Sequence, residues 1–297
     1  MSTVRTAELT LSARASAYVT LTKPDVSFLV LMTTAAGYYM GVRGPVNWLH
    51  MIHTIFGTML IAAGTAALNH YIERDSDRYM RRTASRPLPS GLLQPREVLL
   101  FGIALSIAGA ADLYFVAGAW ASGLGIATCL SYLLAYTPLK KRTVWATFVG
   151  AFPGAIPPMI GWVAATGSLD RGAWLLFAIL FVWQFPHFHA IAWMYREDYA
   201  RAGILMLPVV DPKGTRTFRQ IILYAIALVA VSLLPALMGL AGILYFFGAL
   251  VTSTAMVQVC LWAASNRTNV RAKWLMHATV MHIPILLGLM AFDKIPR

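Results

Sequence analysis

Charged residues are scarce in this sequence of 297 amino acids: only 12% are Asp, Glu, Lys or Arg, whereas 58% are hydrophobic. So few charged groups cannot cover the surface of a water-soluble domain of this length, and the mean hydropathy of +0.64 is correspondingly high. The composition therefore predicts an integral membrane protein that crosses the bilayer several times.

Cysteine is nearly absent, since the chain has only Cys129 and Cys260, and both lie in apolar stretches. This excludes a disulfide framework and a cysteine-based metal centre. The first 25 residues also lack the apolar core of a cleavable signal peptide, so we expect the first apolar stretch to direct membrane insertion. We see no soluble domain, and we predict one integral-membrane domain over residues 1–297, with residues 1–23 as an N-terminal segment.

Long hydrophobic runs are what the sequence has in abundance. Nine of them are long enough to cross about 30 Å of hydrocarbon as helices. They are continuous rather than alternating, which argues against a β-barrel and predicts an all-α, polytopic helix bundle. The predicted spans cover residues 24–42, 49–70, 97–118, 119–137, 145–166, 172–195, 218–240, 241–264 and 274–292.

Acidic residues are half as numerous as basic ones, and the net charge is +12. The placement of the basic residues argues against nucleic acid as a partner, because nearly all of them fall in alternate loops. Only Arg43, Arg171, Lys294 and Arg297 fall on the other side of the predicted membrane. The positive-inside rule therefore puts the N-terminus in the cytoplasm and the C-terminus outside.

A dense polar cluster, N-H-Y-I-E-R-D-S-D at residues 69–77, follows the second apolar run. Asn69, Glu73 and Asp77 are four residues apart, so a helix would place them within about 80° on one face, with Asp75 facing elsewhere. Carboxylate and amide oxygens at a membrane surface suit Mg²⁺, which commonly binds through carboxylates together with substrate phosphates.

Arginines surround this acidic motif and could donate hydrogen bonds to phosphate oxygens. They are Arg74, Arg78, Arg81, Arg82 and Arg86. A simpler interpretation is a solvated helix end with local ion pairs, such as Glu73 with Arg78 or Asp77 with Arg81. The spacing alone leaves both interpretations open.

A second group of charged residues, Arg196, Glu197 and Asp198, ends the sixth predicted span on the same side of the membrane. Two acidic helix ends on one face are what metal ions that hold a diphosphate would require. We therefore expect the two ends to meet, with the Asp77 and Asp198 carboxylates within about 12 Å of each other.

Several longer motifs carry a resemblance to a known family. The string at residues 69–77, with M-R-R-T at 80–83 and R-P-L-P at 86–89, resembles the first acidic motif of the UbiA superfamily of intramembrane prenyltransferases. Y-T-P-L-K-K-R-T at 136–143, G-A-F-P-G-A-I-P-P-M-I-G-W at 150–162 and W-Q-F-P-H-F-H at 183–189 resemble its heme-farnesylating branch. The similarity extends over about residues 20–290.

The resemblance implies nine helices around a central cavity and an enzyme that uses Mg²⁺. Its substrates would be farnesyl diphosphate and heme B (protoheme IX), and the product would be heme O, formed when the farnesyl group joins a heme vinyl group and water is added. The implied setting is the lipid bilayer of the bacterial inner membrane, with a heme A synthase or a terminal oxidase as the candidate protein partner.

The resemblance also assigns roles to residues. Glu73, Asp77 and Asp198 would bind the metal and, with Asn69, form the catalytic set. Diphosphate or heme propionates would be bound by basic residues, namely Arg74, Arg81, Arg82, Arg86, Lys141, Arg142 and Arg196. Two departures from the superfamily pattern stand out: His70 replaces a common Asp, and Tyr195 and Tyr199 stand where the second motif has two Asp residues.

Polar residues in the middle of the sixth predicted span are candidates for heme binding. His187 lies 11 residues before Asp198, roughly 16 Å along a helix and near the membrane midplane. Ionisable residues at that depth are often functional, and His187 or His189 could ligate iron beside Trp183. The alternative is a packed histidine bonded to a neighbouring helix.

Two other functions remain open from the sequence alone. One is prenyl transfer to an aromatic quinone precursor. The other is a transporter or a non-enzymatic membrane assembly protein, in which the acidic clusters would line an ion path. A cavity that opens near Asp77 and Asp198, with aromatic walls leading toward His187, is the arrangement that prenyl transfer to heme predicts.

Overall fold

The computed structural model describes residues 11–296, which form helices joined by short loops. The β-structure in this part of the chain is one isolated antiparallel bridge between Ala241 and Lys294. The helices are α1 (Leu11–Leu21), α2 (Pro24–Gly41), α3 (Trp48–Asp77), α4 (Pro95–Ala117), α5 (Ala119–Leu139), α6 (Ala146–Thr166), α7 (Arg171–Met194), α8 (Arg196–Arg201), α9 (Leu207–Val210), α10 (Thr215–Leu237), α11 (Ile243–Ser265) and α12 (Asn269–Phe292).

Eight helices within residues 11–296 are long and apolar enough to cross a membrane, namely α3 to α7 and α10 to α12. The remaining predicted span, residues 24–42, corresponds to the 18-residue helix α2. This helix is less hydropathic than the other eight and buries Thr33, Thr34 and Tyr38. The prediction of an all-α, multi-pass membrane bundle is therefore confirmed.

Helix α3 is longer than the predicted span 49–70, because it continues without interruption to Asp77. Its 30 residues correspond to about 45 Å, more than the thickness of the hydrocarbon core. The charged residues that end the apolar run are still helical, so the acidic motif lies on a rigid extension of a membrane helix. That extension fixes the directions of its side chains.

Glycine allows the closest helix contacts in the bundle. A Cβ atom added to Gly161 of α6 would lie 1.9 Å from the carbonyl oxygen of Thr34, and one added to Gly37 of α2 would lie 2.0 Å from that of Pro158. Small residues at such contacts let membrane helices approach closely. As a result, α2 is held tightly against α6, and Lys23, at the N-terminal end of α2, is brought to the end of α3.

The loops after α3, α5, α7 and α11 and the residues before α2 lie at one end of the bundle, which we call the basic face. Contacts between these segments are direct. The backbone N–H of Leu205 donates to the carbonyl oxygen of Lys140 at 2.7 Å, and Arg267 donates to the carbonyl oxygen of Lys213 at 2.6 Å. The basic face is therefore a folded layer rather than a set of separate loops.

The opposite end of the bundle is closed by the C-terminal segment. Lys294 Nζ donates to the carbonyl oxygens of Tyr39 at 2.6 Å and Val42 at 2.8 Å, at the end of α2. The Asp293 carboxylate accepts from the Tyr245 N–H at 2.7 Å, at the start of α11. These contacts join the first long helix to the last two.

Candidate active site

The C-terminal part of α3 presents the predicted acidic motif on one sheltered face. Asn69 and Asp77 are 1% and 0% exposed, and the Glu73 side chain is 12% exposed. In contrast, the Asp75 side chain is 71% exposed. The spacing argument thus describes this helix correctly: the three residues that are four apart point inward, and the one out of register points to solvent.

Glu73 is held by a lysine from the loop after α5. Lys140 Nζ donates to Glu73 Oε1 at 2.8 Å and lies 4.4 Å from the centre of the Tyr136 ring. Burial opposes the charge on Lys140, but the surrounding Tyr136 and Glu73 oxygens outweigh it, so the pKa of the ammonium group is raised above its usual value. Lys140 therefore remains a cation inside the site.

Asp77 is held by an arginine from the loop after α3. Arg86 donates through one guanidinium nitrogen to both carboxylate oxygens, at 2.9 Å and 2.7 Å. The loop folds back because the Thr83 hydroxyl donates to the carbonyl oxygen of Asp77 at 2.9 Å. The expected local pair of Asp77 with Arg81 is thus wrong: Arg81 is exposed, and the partner is Arg86, nine residues along the chain.

Asp198 lies on the short helix α8 and meets the loop after α3. Its carboxylate accepts from the backbone N–H of Arg82 at 3.3 Å and forms an ion pair with Arg201. Arg201 also donates to the carbonyl oxygen of Tyr79 at 3.3 Å. The two acidic helix ends, about 120 residues apart in sequence, are therefore in direct contact through residues 79–82.

Lys23 is a site residue that sequence reasoning missed, having been counted only as part of the topology signal. Its ammonium group donates to Asn69 Oδ1 at 2.9 Å, and the Asn69 amide donates to the Thr137 hydroxyl at 3.3 Å. Lys23 has a positive φ of 47°, a rare conformation that tends to persist at functional sites. Burial, with the nearby Arg86 charge, lowers its pKa to about 7.

Several predicted phosphate-binding residues are not brought to the acidic face. Arg74 lies over the Tyr71 ring, and Arg196 lies over the Trp193 ring and donates to Asn269. Three other predicted phosphate-binding residues are exposed, namely Arg81, Lys141 and Arg142. Arg82 is closer to the site, because its backbone binds Asp198 while its guanidinium covers the Tyr195 ring at 4.9 Å.

The histidines of α7 have hydrogen-bond partners inside the bundle. His187 Nδ1 lies 2.8 Å from the Thr279 hydroxyl, and its ring stacks on Trp183 with centroids 4.9 Å apart. His189 Nε2 lies 2.8 Å from Gln220 Oε1. Trp183 itself belongs to the buried core and donates to the carbonyl oxygen of Thr279. His187 and His189 thus each use one ring nitrogen in a hydrogen bond within the bundle, and the other nitrogen is available to a ligand.

His70 was singled out only as a departure from a pattern, yet it is 2% exposed and both of its ring nitrogens are buried without a hydrogen-bond partner. One turn before Glu73, it lies about 20° around the helix from Asp77. Lys23 and Arg86 are the charged groups that act on it. The ring of His70 therefore leaves two buried nitrogens that could bond to a ligand at this face.

The aromatic residues divide into two groups. Tyr132 and Tyr136 pack edge to face, 5.1 Å apart, beside Lys140. A longer row joins Phe148 and Phe152 of α6 to Phe177, Phe181 and Phe185 of α7 and to Tyr224 of α10. Phe152 is 44% exposed, so part of this row faces the surroundings of the bundle. Tyr132 and Tyr136 therefore form the aromatic wall at the acidic face.

A metal site is not fully assembled in this arrangement. Within residues 11–296, no group of three His, Cys, Asp or Glu side chains is close enough to hold a metal ion. The donor chemistry nevertheless fits Mg²⁺, since Glu73, Asp77 and Asp198 offer carboxylate oxygens and Asn69 an amide. A metal ion here would compete with Arg86 for both oxygens of Asp77 and with Lys140 for one oxygen of Glu73.

Comparison with known proteins identifies the class. The model of the UbiA prenyltransferase family matches residues 30–283, and the chain belongs to that family. Solved structures share its fold at low identity. A digeranylgeranylglyceryl phosphate synthase has a TM-score of 0.77 at 18% identity, covering 94% of this chain and 98% of that one. A UbiA homolog from Archaeoglobus fulgidus bound to GPP and Mg²⁺ has a TM-score of 0.66 at 15% identity, covering 93% and 99%.

Curated relatives define a narrower group. The protoheme IX farnesyltransferase of Solibacter usitatus is 52% identical, over 93% of this chain and 98% of its own. Those of Koribacter versatilis and Aquifex aeolicus are 42% and 38% identical, covering 93% and 94% of this chain and 93% and 95% of their own. The chain thus matches these relatives over nearly their whole length.

Proposed function

We propose that this prenyltransferase moves a farnesyl group from farnesyl diphosphate to a vinyl group of protoheme IX, giving heme O and diphosphate. The names of relatives up to 52% identical support the substrates. The geometric observation that carries the proposal is the sheltered face of α3, where two carboxylates and an amide meet Lys23, Lys140 and Arg86. That combination suits a metal-bound diphosphate.

The residues of the site would act mainly on the leaving group. Glu73, Asp77 and Asp198 would hold Mg²⁺, which supplies positive charge to the departing diphosphate when it is bound. Lys23, Lys140 and Arg86 would neutralise the remaining negative charge. The bond between farnesyl C1 and oxygen breaks with both electrons going to the diphosphate. A new bond then forms between C1 and the heme vinyl carbon, and water adds to the resulting cation with loss of a proton.

His187 remains our proposed iron ligand. Its Nδ1 is held by Thr279, which leaves Nε2 for a metal, and a hydrogen bond to the second nitrogen is the usual way in which a protein orients a ligating histidine. Trp183, stacked on the same ring, would fix its plane. His189, with Nδ1 left over, is the second choice.

The basic face is proposed to lie in the cytoplasm, with the protein in the inner membrane of a bacterium, because its loops carry most of the basic residues. The farnesyl chain of heme O is apolar and would hold the product in the bilayer. A membrane protein that consumes it, a heme A synthase or a terminal oxidase, is therefore the proposed protein partner.

The decisive experiment incubates the purified protein with heme B, farnesyl diphosphate and Mg²⁺ and follows heme by mass spectrometry. We expect a heme that is heavier by one farnesyl group and one hydroxyl group, with release of diphosphate, and no product when Mg²⁺ or either substrate is omitted. Prenylation of an aromatic quinone precursor but not of heme would favour the alternative enzyme. No diphosphate release with either acceptor would contradict prenyl transfer.

A further inference from the structure

Both carboxylates of the α3 face are already occupied in the ligand-free protein. Lys140 holds Glu73 at 2.8 Å, and Arg86 holds Asp77 at 2.7 Å. The two cations come from different loops of the basic face. A metal ion that binds these carboxylates therefore competes with Arg86 at both oxygens of Asp77 and with Lys140 at Oε1 of Glu73.

These pairs are poorly accessible to water, which makes them hard to open one charge at a time. The side chains of Lys140 and Glu73 are 10% and 12% exposed, and that of Asp77 is 0% exposed. Removing one partner of a buried pair leaves an uncompensated charge in a poorly hydrated place. An exchange is favourable only if both members of the pair gain new partners together.

The charge balance points the same way. Lys140 and Arg86 balance Glu73 and Asp77, and Lys23, which binds Asn69, adds one positive charge in excess when it is protonated. A divalent cation alone would increase that excess. A diphosphate alone would meet two cations that are already paired with carboxylates. When both ligands bind, the diphosphate offsets the positive charge of the metal, and the metal releases the cations from the carboxylates.

We propose that Lys140 and Arg86 exchange partners during binding: each holds a carboxylate before the ligands bind and moves to the diphosphate when a divalent cation takes that carboxylate. This inference rests on the proposed function and adds to it a carboxylate partner that Lys140 and Arg86 each leave on binding. The metal and the diphosphate then bind cooperatively, and each binds weakly alone.

Lys140 is well placed for such a movement. Its carbonyl oxygen is fixed by the Leu205 N–H at 2.7 Å, so the backbone stays in place while the flexible four-carbon side chain swings. The Tyr136 ring, 4.4 Å from Nζ, offers a surface along which the ammonium group remains stabilised.

The test measures Mn²⁺ binding by electron paramagnetic resonance, with and without inorganic diphosphate, on the full-length protein in detergent. Titration without protein corrects for the complex that Mn²⁺ and diphosphate form in solution. In the wild type, we expect diphosphate to tighten Mn²⁺ binding by about tenfold or more. In Lys140→Met, Mn²⁺ alone should bind about fivefold tighter, because Glu73 is free, while the enhancement by diphosphate should fall to roughly twofold.

Two controls separate the exchange from general damage. Lys141→Met removes the exposed neighbouring charge and should leave both Mn²⁺ affinities unchanged. The double variant Glu73→Gln/Lys140→Met replaces the buried pair by neutral groups, so it should keep the unfolding midpoint of the wild type but lose the tighter Mn²⁺ binding.

The outcomes distinguish this inference from the function on which it rests. A wild type that binds no Mn²⁺ even with diphosphate would contradict the proposed function. A wild type that binds both ligands, but each as tightly alone as together, would overturn the exchange and leave the function standing. The exchange is also overturned if Lys140→Met binds Mn²⁺ alone no tighter than the wild type does. The wild-type comparison needs no variant, so it holds even if Lys140→Met does not fold.

Discussion

The two acidic helix ends of the basic face are built differently. Helix α3 runs unbroken to Asp77, and its acidic side chains are sheltered and paired with cations from other segments. Helix α7 stops at Met194, and Asp198 follows on a separate short helix, where it pairs with Arg201 three residues away. Similar strings of charged residues therefore give acids on a continuous helix in one case, and in the other a short helix whose acid pairs with a near neighbour and touches the backbone of the loop after α3.

The difference teaches that burial together with a cationic partner is a better guide to a site than acidity is. Glu197, next to Asp198, is exposed, as is Asp75 on α3. Glu73 and Asp77 are instead sheltered and paired with cations from outside α3, Lys140 from the loop after α5 and Arg86 from the loop after α3. We therefore expect the α3 end to dominate the chemistry and the α8 end to assist it.

The largest expected effect comes from the α3 end. Glu73→Gln or Asp77→Asn should lower turnover at least about 100-fold, near 2.7 kcal/mol of transition-state stabilisation, because each removes a proposed metal ligand. Turnover is measured by heme product formation, with the unfolding midpoint as a check on folding. Asp75→Asn is the matched control and should have little effect. Equal losses at all three acids would break the distinction between the sheltered and the exposed face.

A smaller effect is expected at the α8 end. Asp198→Asn should lower turnover about tenfold, since the carboxylate is proposed to assist metal binding but is satisfied locally by Arg201. Glu197→Gln, on the same short helix and exposed, should be close to wild type in the same assay. A loss at Asp198 as large as that at Glu73 would make the two helix ends equal partners and would remove the contrast.

The middle of α7 should respond in spectrum rather than in diphosphate binding. If His187 binds iron, His187→Ala should shift the Soret band of bound heme while Mg²⁺-dependent binding of farnesyl diphosphate stays unchanged. His277→Ala changes a histidine of α12 outside this region and should leave the spectrum as it is. An unshifted band in the first variant would move the proposed ligand to His189 and then to His282, the buried histidine of α12.

The smallest effect concerns Lys23, which supports the α3 end. Its pKa in the folded, ligand-free protein is lowered to about 7, whereas in the unfolded chain a lysine titrates near its usual value of about 10.4. Between these values the unfolded chain binds more protons, so the stability of the wild type should rise with pH in this window. Lys23→Met should lose that rise. Thermal unfolding at pH 6 to 10 checks this, and identical pH profiles would contradict the burial of a titrating Lys23.

Much of the architecture was predictable from the sequence because membrane helices have few alternatives. Every backbone polar group in hydrocarbon must be bonded within its own segment, so long apolar runs specify helices. The α3 helix continues beyond the predicted second span to Asp77, because hydropathy marks where the charges begin and not where the helix ends. The four-residue spacing of Asn69, Glu73 and Asp77 then correctly predicted a shared face.

The partners of these residues were not predictable from spacing. Lys23 looked like a topology signal, and Lys140 could not be distinguished from Lys141 in the string K-K-R. Likewise, Arg74 and Arg196 were expected at phosphate but lie over Tyr71 and Trp193. Each of these outcomes depends on which way one side chain turns at a helix end, where neighbouring positions differ by about 100°.

By itself, then, the sequence determined that the chain is a multi-pass helical membrane protein with an acidic motif on one helical face. Composition and periodicity act locally along the chain, and the bilayer leaves little else for apolar segments to form. The tertiary structure alone decided that Lys140 and Arg86 occupy Glu73 and Asp77, that Lys23 binds Asn69, and that Asp198 meets the loop after α3. Those contacts join residues as far apart as 116 positions, and only the packing of the helices can bring them within hydrogen-bond distance.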